Sequence, residues 1–364
     1  MGRILEQLIN SYRTDPDSDF LRLKYQVRMK HYGELARLIA AYGSIELRDI
    51  QFLILTAWYR DALADGRIAK ARSLVSRLRE LFRFGYLLLE DDDCHRLLGT
   101  LGKLQLDMSP SRRVEMTADH ARAICKSARE HFGWPSIALA QALQFELLLG
   151  QKDVIGEWIP VGELGESDVV RLGQKWLRGL RWSDIDKNLI LRHQVGSSGR
   201  RIEVDLRTAP MVIEELKILL AYLRDERTIE EIFNDLPDLL THSMADTIPS
   251  NKIAVPEPLT LDELMGALPD SGPLIICDIN GMPWSTPEFR RKWRLVAKKA
   301  GVPDDVTNRD SLPTGMIRGG PDRAEIQQNY SLRRIDYSLR MARRMSDAHG
   351  ANNSNKPTKK SSSH

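Results

Sequence analysis

Cysteine is nearly missing from this 364-residue chain, which has only Cys94, Cys125 and Cys277. They are odd in number, far apart and in no Cys-x-x-Cys spacing. That leaves no support for a disulfide framework or a thiolate zinc site, and buried, inert thiols are expected. Long apolar runs are missing too. Stretches such as Ile218 to Tyr222 fall far short of the ~20 residues that cross a bilayer, and the first residues lack the apolar stretch of a secretory leader. A cytoplasmic protein with no membrane partner is expected. An excess of one charge is also lacking: 53 Lys and Arg face 50 Asp and Glu, a net charge of +3. Any nucleic-acid argument therefore rests on where the charges cluster. His120 and His131 have no metal-ligand spacing, and neither a metal nor a cofactor is implied.

What is present is a globular composition, 42% apolar and 28% charged, in a chain long enough for two cores. The N-terminal part reads as a run of helices. Asp15-Pro16-Asp17-Ser18 is a turn and cap cluster, and Leu23, Val27, Leu35, Leu38 and Ile39 recur at helical spacing from Phe20 to Gly43. Further helices are expected at Gln51 to Leu63, at Arg67 to Phe84 with Gly85 as the stop, and at Asp91 to Leu104. The acidic start Asp91-Asp92-Asp93 of the last suits a helix N-terminus. A bundle of four or five helices over 1–108 results. Residues 109–116, with Pro110 and without periodicity, read as a linker.

Beyond the linker, Thr117 can cap a helix through His131. Pro135 opens another in which Ile137, Ala140, Leu143, Leu147 and Leu148 leave little polar face, so it belongs at a domain centre. Leu189, Leu191, His193 and Val195 alternate with polar residues, as do Ile202, Val204 and Leu206, and Gly196-Ser197-Ser198-Gly199 joins the two strands as a hairpin. His193 on the apolar face reads as a satisfied interior histidine. Pro210 opens a long helix. Residues 225–269 are acidic and proline-bearing, and read as an insertion or partly mobile excursion. Leu274 to Cys277 reads as a short strand, Thr286 to Ala300 as a basic amphipathic helix, and 346–364 as a disordered tail. The fold class is mostly α with a small β-hairpin or sheet, α+β.

Three stretches carry a resemblance. They are Lys152-Asp153-Val154-Ile155-Gly156-Glu157-Trp158 after the apolar helix, Trp182-Ser183-Asp184-Ile185-Asp186 leading into the hairpin, and Glu288 to Arg294 followed by Ala300-Gly301-Val302-Pro303 and Asn308-Arg309-Asp310-Ser311. In this order, with a helical N-terminal bundle, the chain resembles a tyrosine recombinase of the phage integrase family up to about Arg344. The resemblance implies a helical, SAM-like core-binding domain (1–108) followed by a catalytic domain (117–345). It further implies double-stranded DNA as partner and a homo-oligomer on DNA. In that family a tyrosine attacks a DNA phosphodiester, while two arginines, a hairpin lysine and histidine-type residues stabilise the pentavalent state. Planar guanidiniums suit the spread charge of a phosphoryl group, and a tyrosine hydroxyl with its reference pKa near 10 needs that positive pocket, or a base, to act as nucleophile.

Carried over residue by residue, the family's roles meet substitutions. The first arginine should stand at Gly150, and the second at Leu312, which Pro313 follows. The hairpin lysine should lie in or near Val195 to Arg201, where Ser197, Ser198, Arg200 and Arg201 stand instead. Arg200 can reach a phosphate but is a poor general acid, because a guanidinium hardly gives up a proton. Arg309 is the nearest cation to the second slot, with a surface ion pair to Asp310 as the plainer reading. Tyr337 is the nucleophile candidate, Tyr330 stands behind it, and helix packing is the plainer role for both. Trp176 and Trp182 beside Arg178 and Arg181 look like a base-stacking platform, but read better as core anchors.

Basic residues cluster in three places: Arg72, Arg79 and Arg83 on one face of the helix from Arg67; Arg290, Arg291, Lys292, Arg294, Lys298 and Lys299; and Arg333 to Arg344. A solvated face is the plain reading for one such helix, while three in the recombinase order point to a clamp on duplex DNA. Three functions stay open: a recombinase, a non-catalytic DNA-binding accessory protein, and a helical protein-interaction module.

Overall fold

Leu5, Leu8, Ile9 and Tyr12 follow one another at helical spacing and are all buried, forming the inner face of α1 (Leu5–Thr14). This helix was not among the expected elements. The structure is a computed structural model and describes residues 2–64, 66–107, 114, 116–196, 199–224 and 253–311. The chain divides into two compact units, Met1–Arg113 and Val114–His364.

In the N-terminal unit α1 is followed by α2 (Tyr25–Tyr42), α3 (Phe52–Leu63), α4 (Ile68–Leu89) and α5 (Asp92–Gly102). The central α4 packs against each of the other four. Its buried face, Ala71, Val75, Leu78, Leu81 and Phe82, meets Leu8 and Tyr12 of α1, Leu35 of α2, Leu55 and Trp58 of α3 and Leu97 of α5 in one core. Asp91 caps α5, its carboxylate accepting the amide of Cys94 at 3.1 Å, which satisfies a donor the helix cannot.

Gly85 does not stop α4, which runs on to Leu89. A β-carbon at 85 would stand 2.3 Å from Cys94 Sγ and 2.9 Å from Leu8 Cδ1. The glycine is there for close helix approach rather than for termination.

The C-terminal unit is built on α7 (Pro135–Glu146), every residue of which is buried. Against it pack α6 (Ala118–Phe132), capped by Thr117, and α9 (Pro210–Arg224). Glu146 ends α7 by accepting the Val212 amide at 3.0 Å at the start of α9, and Arg129 of α6 pairs with buried Glu215 of α9. At the other end of α7 the Asp278 carboxylate accepts the Ser136 amide at 3.0 Å and its hydroxyl at 2.5 Å.

A one-turn helix α8 (Gln151–Ile155) leads into a three-stranded antiparallel sheet of β1 (Glu157–Pro160), β2 (Val170–Arg171) and β3 (Gln174–Leu177), in the order β1-β3-β2. No sheet was expected there. Its pivot is Trp176, 1% exposed, whose indole N–H donates to Ile155 O at 2.9 Å. Added β-carbons would come within 2.1 Å of the indole at Gly156 and 2.2 Å at Gly179, so only hydrogen fits on either side. Gly156 also has φ +76°, in the left-handed region.

The expected hairpin is present as β4 (Ile190–Gln194) and β5 (Arg201–Asp205), with Leu191 opposite Val204 and His193 opposite Ile202. Leu191, His193 and Val195 are buried, as their alternation requires.

One expectation needs correction. Leu274 to Cys277 is not a strand: only isolated bridges form, Arg181 with Pro273 and Ile276 with Pro283, because proline has no N–H to extend a ladder. The described part of the expected insertion or partly mobile excursion, 253–269, packs on the domain core. It carries a capped helix α10 (Leu261–Ala267), places Leu259 and Leu264 in the core, and ties Ile253 N to Glu130 O at 2.6 Å. Residues 225–252 of the expected insertion lie outside the described residues. So do the tail, Ser197, Ser198, Leu312, Pro313, Tyr330, Tyr337, the cluster from Arg333 to Arg344, and all of the linker but Val114 and Met116. The last described helix is α11 (Thr286–Lys299). Among the described residues no helix is long and apolar enough to cross a membrane, and no group of three or more side chains could hold a metal ion.

Candidate functional site

Gly150 is the N-cap of α8, with extended backbone at φ −68° and ψ 152°. A β-carbon there would stand 2.9 Å from Asp153 Oδ2. The other carboxylate oxygen of Asp153 accepts the Gly196 amide at 2.7 Å. One buried aspartate thus ties the turn after α7 to the β4–β5 loop, the two places where the sequence leads one to look for phosphate-binding cations.

Gly196 in turn leaves room for Arg178, since a β-carbon at 196 would lie 2.9 Å from Arg178 Cδ. Arg178 has φ +70°, a left-handed conformation that a residue with a side chain adopts at a cost of about 1 kcal/mol or more. Its guanidinium pairs with Glu157 Oε1 at 2.7 Å, and Lys152 Nζ pairs with Glu157 Oε2 at 2.6 Å. Glu157 is 2% exposed, while the side chains of Lys152 and Arg178 are 38% and 28% exposed. The carboxylate is underneath and the two cations face outward. Arg290 of α11, also exposed, donates from Nε to Gln151 Oε1 at 3.0 Å beside them.

The residues expected from the second slot are partly placed. Arg309 is exposed in a single turn, Asn308–Asp310. Asp310 points inward, accepting the Thr307 amide at 2.7 Å and hydroxyl at 2.8 Å. Ser311 is fully buried and accepts from Gln141 Nε2 at 3.1 Å, while Gln141 Oε1 accepts from Trp293 at 2.8 Å. The turn is therefore anchored on α7 through a buried amide. Arg200, just before β5, is half-buried, and its carbonyl accepts the Val195 amide at 2.8 Å.

Trp176 and Trp182, 1% and 6% exposed, are core residues and not a stacking platform. His193 bonds through Nδ1 to Asp184 at 3.1 Å, with its Nε2 buried and unbonded, so it is only half satisfied.

The basic helices differ from their sequence pattern. On α4, Arg72, Arg79 and Arg83 are all exposed, whereas Arg77 is turned inward, pairing with Glu80 and with Glu34 at 3.3 Å. On α11, Arg290 and Lys298 are exposed, and Arg291 is exposed but paired with Glu288 at 2.8 Å. Arg294 reaches the Asp304 carbonyl near the helix end. Lys292 is 8% exposed, its ammonium 4.6 Å from the Trp134 ring centroid, a cation–π contact and not a solvent-facing charge.

Sequence reasoning missed the Lys152–Glu157–Arg178 cluster. The acidic residue at 157 was a signal only in retrospect, since a carboxylate on the buried side of a strand needs cations above it.

No protein-family model matches the chain, and no curated protein does. Solved structures do. A lambda integrase fragment, residues 75–356, described as a dimer bound to a COC′ core site, matches with TM-score 0.52 at 15% identity over 86% of this chain and 85% of that one. A lambda integrase tetramer bound to a Holliday junction matches with TM-score 0.53 at 16% identity, over 86% and 69%. The Tn1549 transposon integrase, residues 82–397, in complex with circular intermediate DNA, matches with TM-score 0.50 at 12% identity, over 90% and 91%. The chain has the fold of these integrases.

Proposed function

We propose that this chain is a tyrosine-recombinase relative that binds duplex DNA, acting as an oligomer on it, and that it does not cut the strand. The fold it shares with integrases solved on DNA supports the binding, as do the exposed Arg72, Arg79 and Arg83 of α4 and Arg290 and Lys298 of α11. The observation that carries the second half is Gly150. It stands at the exit of the apolar helix, where the resemblance puts the first phosphate-binding arginine, and has no side chain to offer. Leu312 adds no cation at the second slot, and the stretch from Val195 to Arg201 has no lysine, only Arg200 and Arg201, which hardly give up a proton. With neither arginine of the family's pair in its slot, the charge of the phosphoryl transfer state loses its main stabilisers, a loss of several kcal/mol in barrier.

The test has two arms. Binding to labelled duplex DNA measured against salt concentration should give a log-log slope of several charges; absent or salt-insensitive binding would favour a protein partner instead. Nicked duplex incubated with the protein and run on a denaturing gel should give no covalent adduct. An adduct that disappears in Tyr337→Phe would overturn the non-cutting half and leave an active recombinase.

A further inference from the structure

The loop 161–169, which joins β1 to β2, is fastened from within and apolar on the outside. Lys175 of β3, 7% exposed, donates its ammonium to three of the loop's carbonyls, Val161 O at 3.0 Å and Glu163 O and Gly165 O at 2.5 Å. Amid these anchors Leu164 is 94% exposed, and Glu166 just beyond them is exposed too. Elsewhere in the same unit, α9 and the segment leading into α10 form a groove of about 480 Å³ lined by Arg207, Pro210, Ile213, Lys217, Pro258 and Leu261. We propose that these are the two halves of one contact between copies of the chain, Leu164 of one copy entering the groove of the next with Glu166 set against its Lys217. The inference rests on the oligomer-on-DNA reading above and names the surfaces by which the copies touch.

A single exposed leucine is ordinary; one on a loop built to hold it in place is not. The buried ammonium fixes the loop's course, and Gly165, at φ +106°, lies so close to the sheet that a β-carbon there would stand 2.9 Å from Leu177 Cδ1. The Val161 amide also donates to Gly173 O at 3.0 Å, which joins the loop to the β2–β3 turn and its Leu172, 92% exposed. A knob fixed in this way loses little freedom on docking. The groove is its complement. Pro210, Ile213, Pro258 and Leu261 make its walls apolar, Arg207 is committed to Asp205 at 2.7 Å, and Glu214 at its rim pairs with Arg129 at 3.5 Å. Lys217 is half-buried and has no hydrogen bond or ion pair among the described residues. An ammonium drawn partly out of water calls for an anion, and Glu166, likewise unpaired among the described residues, brings one with the leucine.

The exposure of Leu164 shows that it does not reach the groove of its own copy. Knob and groove are different patches, so the contact is head-to-tail: each copy gives a leucine to one neighbour and receives one from the other. One leucine and its rim fall well short of the ~800 Å² per partner of a stable interface. Free copies therefore stay apart, and the contact acts where DNA already holds copies side by side, at an effective concentration on the order of millimolar.

The experiment traps the contact as a disulfide. Cys94, Cys125 and Cys277 are all buried, so introduced surface thiols are the ones that react. Gly162→Cys puts a thiol on the loop, where a β-carbon meets nothing within 4 Å, and Leu261→Cys puts one on the groove. The two full-length variants, tagged to differ in size, are mixed and oxidised on mixed-sequence duplex DNA long enough for several copies, and separately in concentrated protein without DNA. Non-reducing gels should show several-fold more of the mixed dimer than random pairing gives. Leu164→Ser on the Gly162→Cys copy should return it to the random level. Glu166→Lys on that copy should lower the yield, and Lys217→Glu on the other should restore it, a recovery that a folding defect would not give. The proposal is overturned if same-variant dimers form as readily as mixed ones, if Leu164→Ser leaves the mixed dimer unchanged while thermal unfolding stays wild-type, or if no mixed dimer forms in either sample. Failure of the wild-type protein to bind duplex is a different result: it removes the DNA-binding reading, and the sample without DNA then decides the contact.

Discussion

Gly85 of α4 faces Cys94 of α5 so closely that a β-carbon at 85 would lie 2.3 Å from the sulfur. Overpacking of this kind costs about 1–3 kcal/mol, which outweighs the ~1 kcal/mol that alanine gains over glycine in a helix interior. Gly85→Ala is therefore expected to destabilise the N-terminal unit by up to about 2 kcal/mol net in chemical denaturation. Adding Cys94→Ala to it removes the sulfur and should recover part of the loss. Additive losses in the pair would show that the contact is not what places glycine there.

The Trp176 clasp makes a stronger prediction. Gly156→Ala meets the indole at 2.1 Å and needs a left-handed backbone at φ +76°. A loss of about 3 kcal/mol or more is expected, read as a drop in the unfolding midpoint together with a change in tryptophan fluorescence. Near-native stability would mean that the sheet hinges elsewhere.

Two carboxylates set a pH dependence. Burial pushes Glu215 up to about 7 against the opposing pull of Arg129, and burial pushes Asp278 up to about 7 against its bonds from Ser136. Both pKa values lie above those of an unfolded chain, so the folded state binds more protons between about pH 4.5 and 7. Stability should accordingly fall as pH rises through that window. Asp278→Asn, nearly isosteric, should flatten the fall in melting temperature between pH 5 and 7.5; an unchanged pH profile would exclude Asp278 as its source.

Restoring one cation should separate binding from chemistry. Gly150→Arg adds a guanidinium beside Asp153, whose Oδ2 would lie 2.9 Å from the new β-carbon. It is expected to steepen the salt slope of DNA binding by about one while giving no covalent adduct, because Leu312 leaves the second slot without charge. An adduct in this single variant would show that one arginine suffices.

On the N-terminal unit, Arg79 and Arg83 are exposed on the same face of α4. Arg79→Gln/Arg83→Gln should make the slope shallower by about two and change stability by no more than ~0.5 kcal/mol, as surface substitutions do. A stability loss with an unchanged slope would assign the stripe to structure.

Much of the architecture could be read from residue pattern. Pro135 at the head of an all-apolar helix, Thr117 as a cap and the alternation of Leu191, His193 and Val195 each follow from local chemistry, and each was found where expected. The misses have physical causes. The β1-β3-β2 sheet uses strands of two to four residues with exposures such as β3's, which is exposed, buried, buried and half-buried, too short to show a period. Gly85 looks like a stop and is a packing contact, which depends on a residue in another helix. The Lys152–Glu157–Arg178 cluster was invisible for a similar reason: its geometry depends on a left-handed backbone at a non-glycine residue. Lys292 shows the reverse error, a charge that helical spacing put with its basic neighbours and that Trp134 draws inward.

Glu157 and Leu177 are paired across the β1–β3 ladder. In an antiparallel ladder such partners have α-carbons only about 4.5–5.5 Å apart, so the chain leaves for the sheet and comes back at the same doorway. The stretch between them is tied to the rest of the unit at three points: Trp158 donates its indole N–H to Pro283 O at 3.0 Å, Asp168 pairs with Arg181, and Trp176 closes on Ile155. The tip between those ties stands clear of them, with Leu164 94% exposed, making it the natural point at which to graft a foreign segment onto the fold.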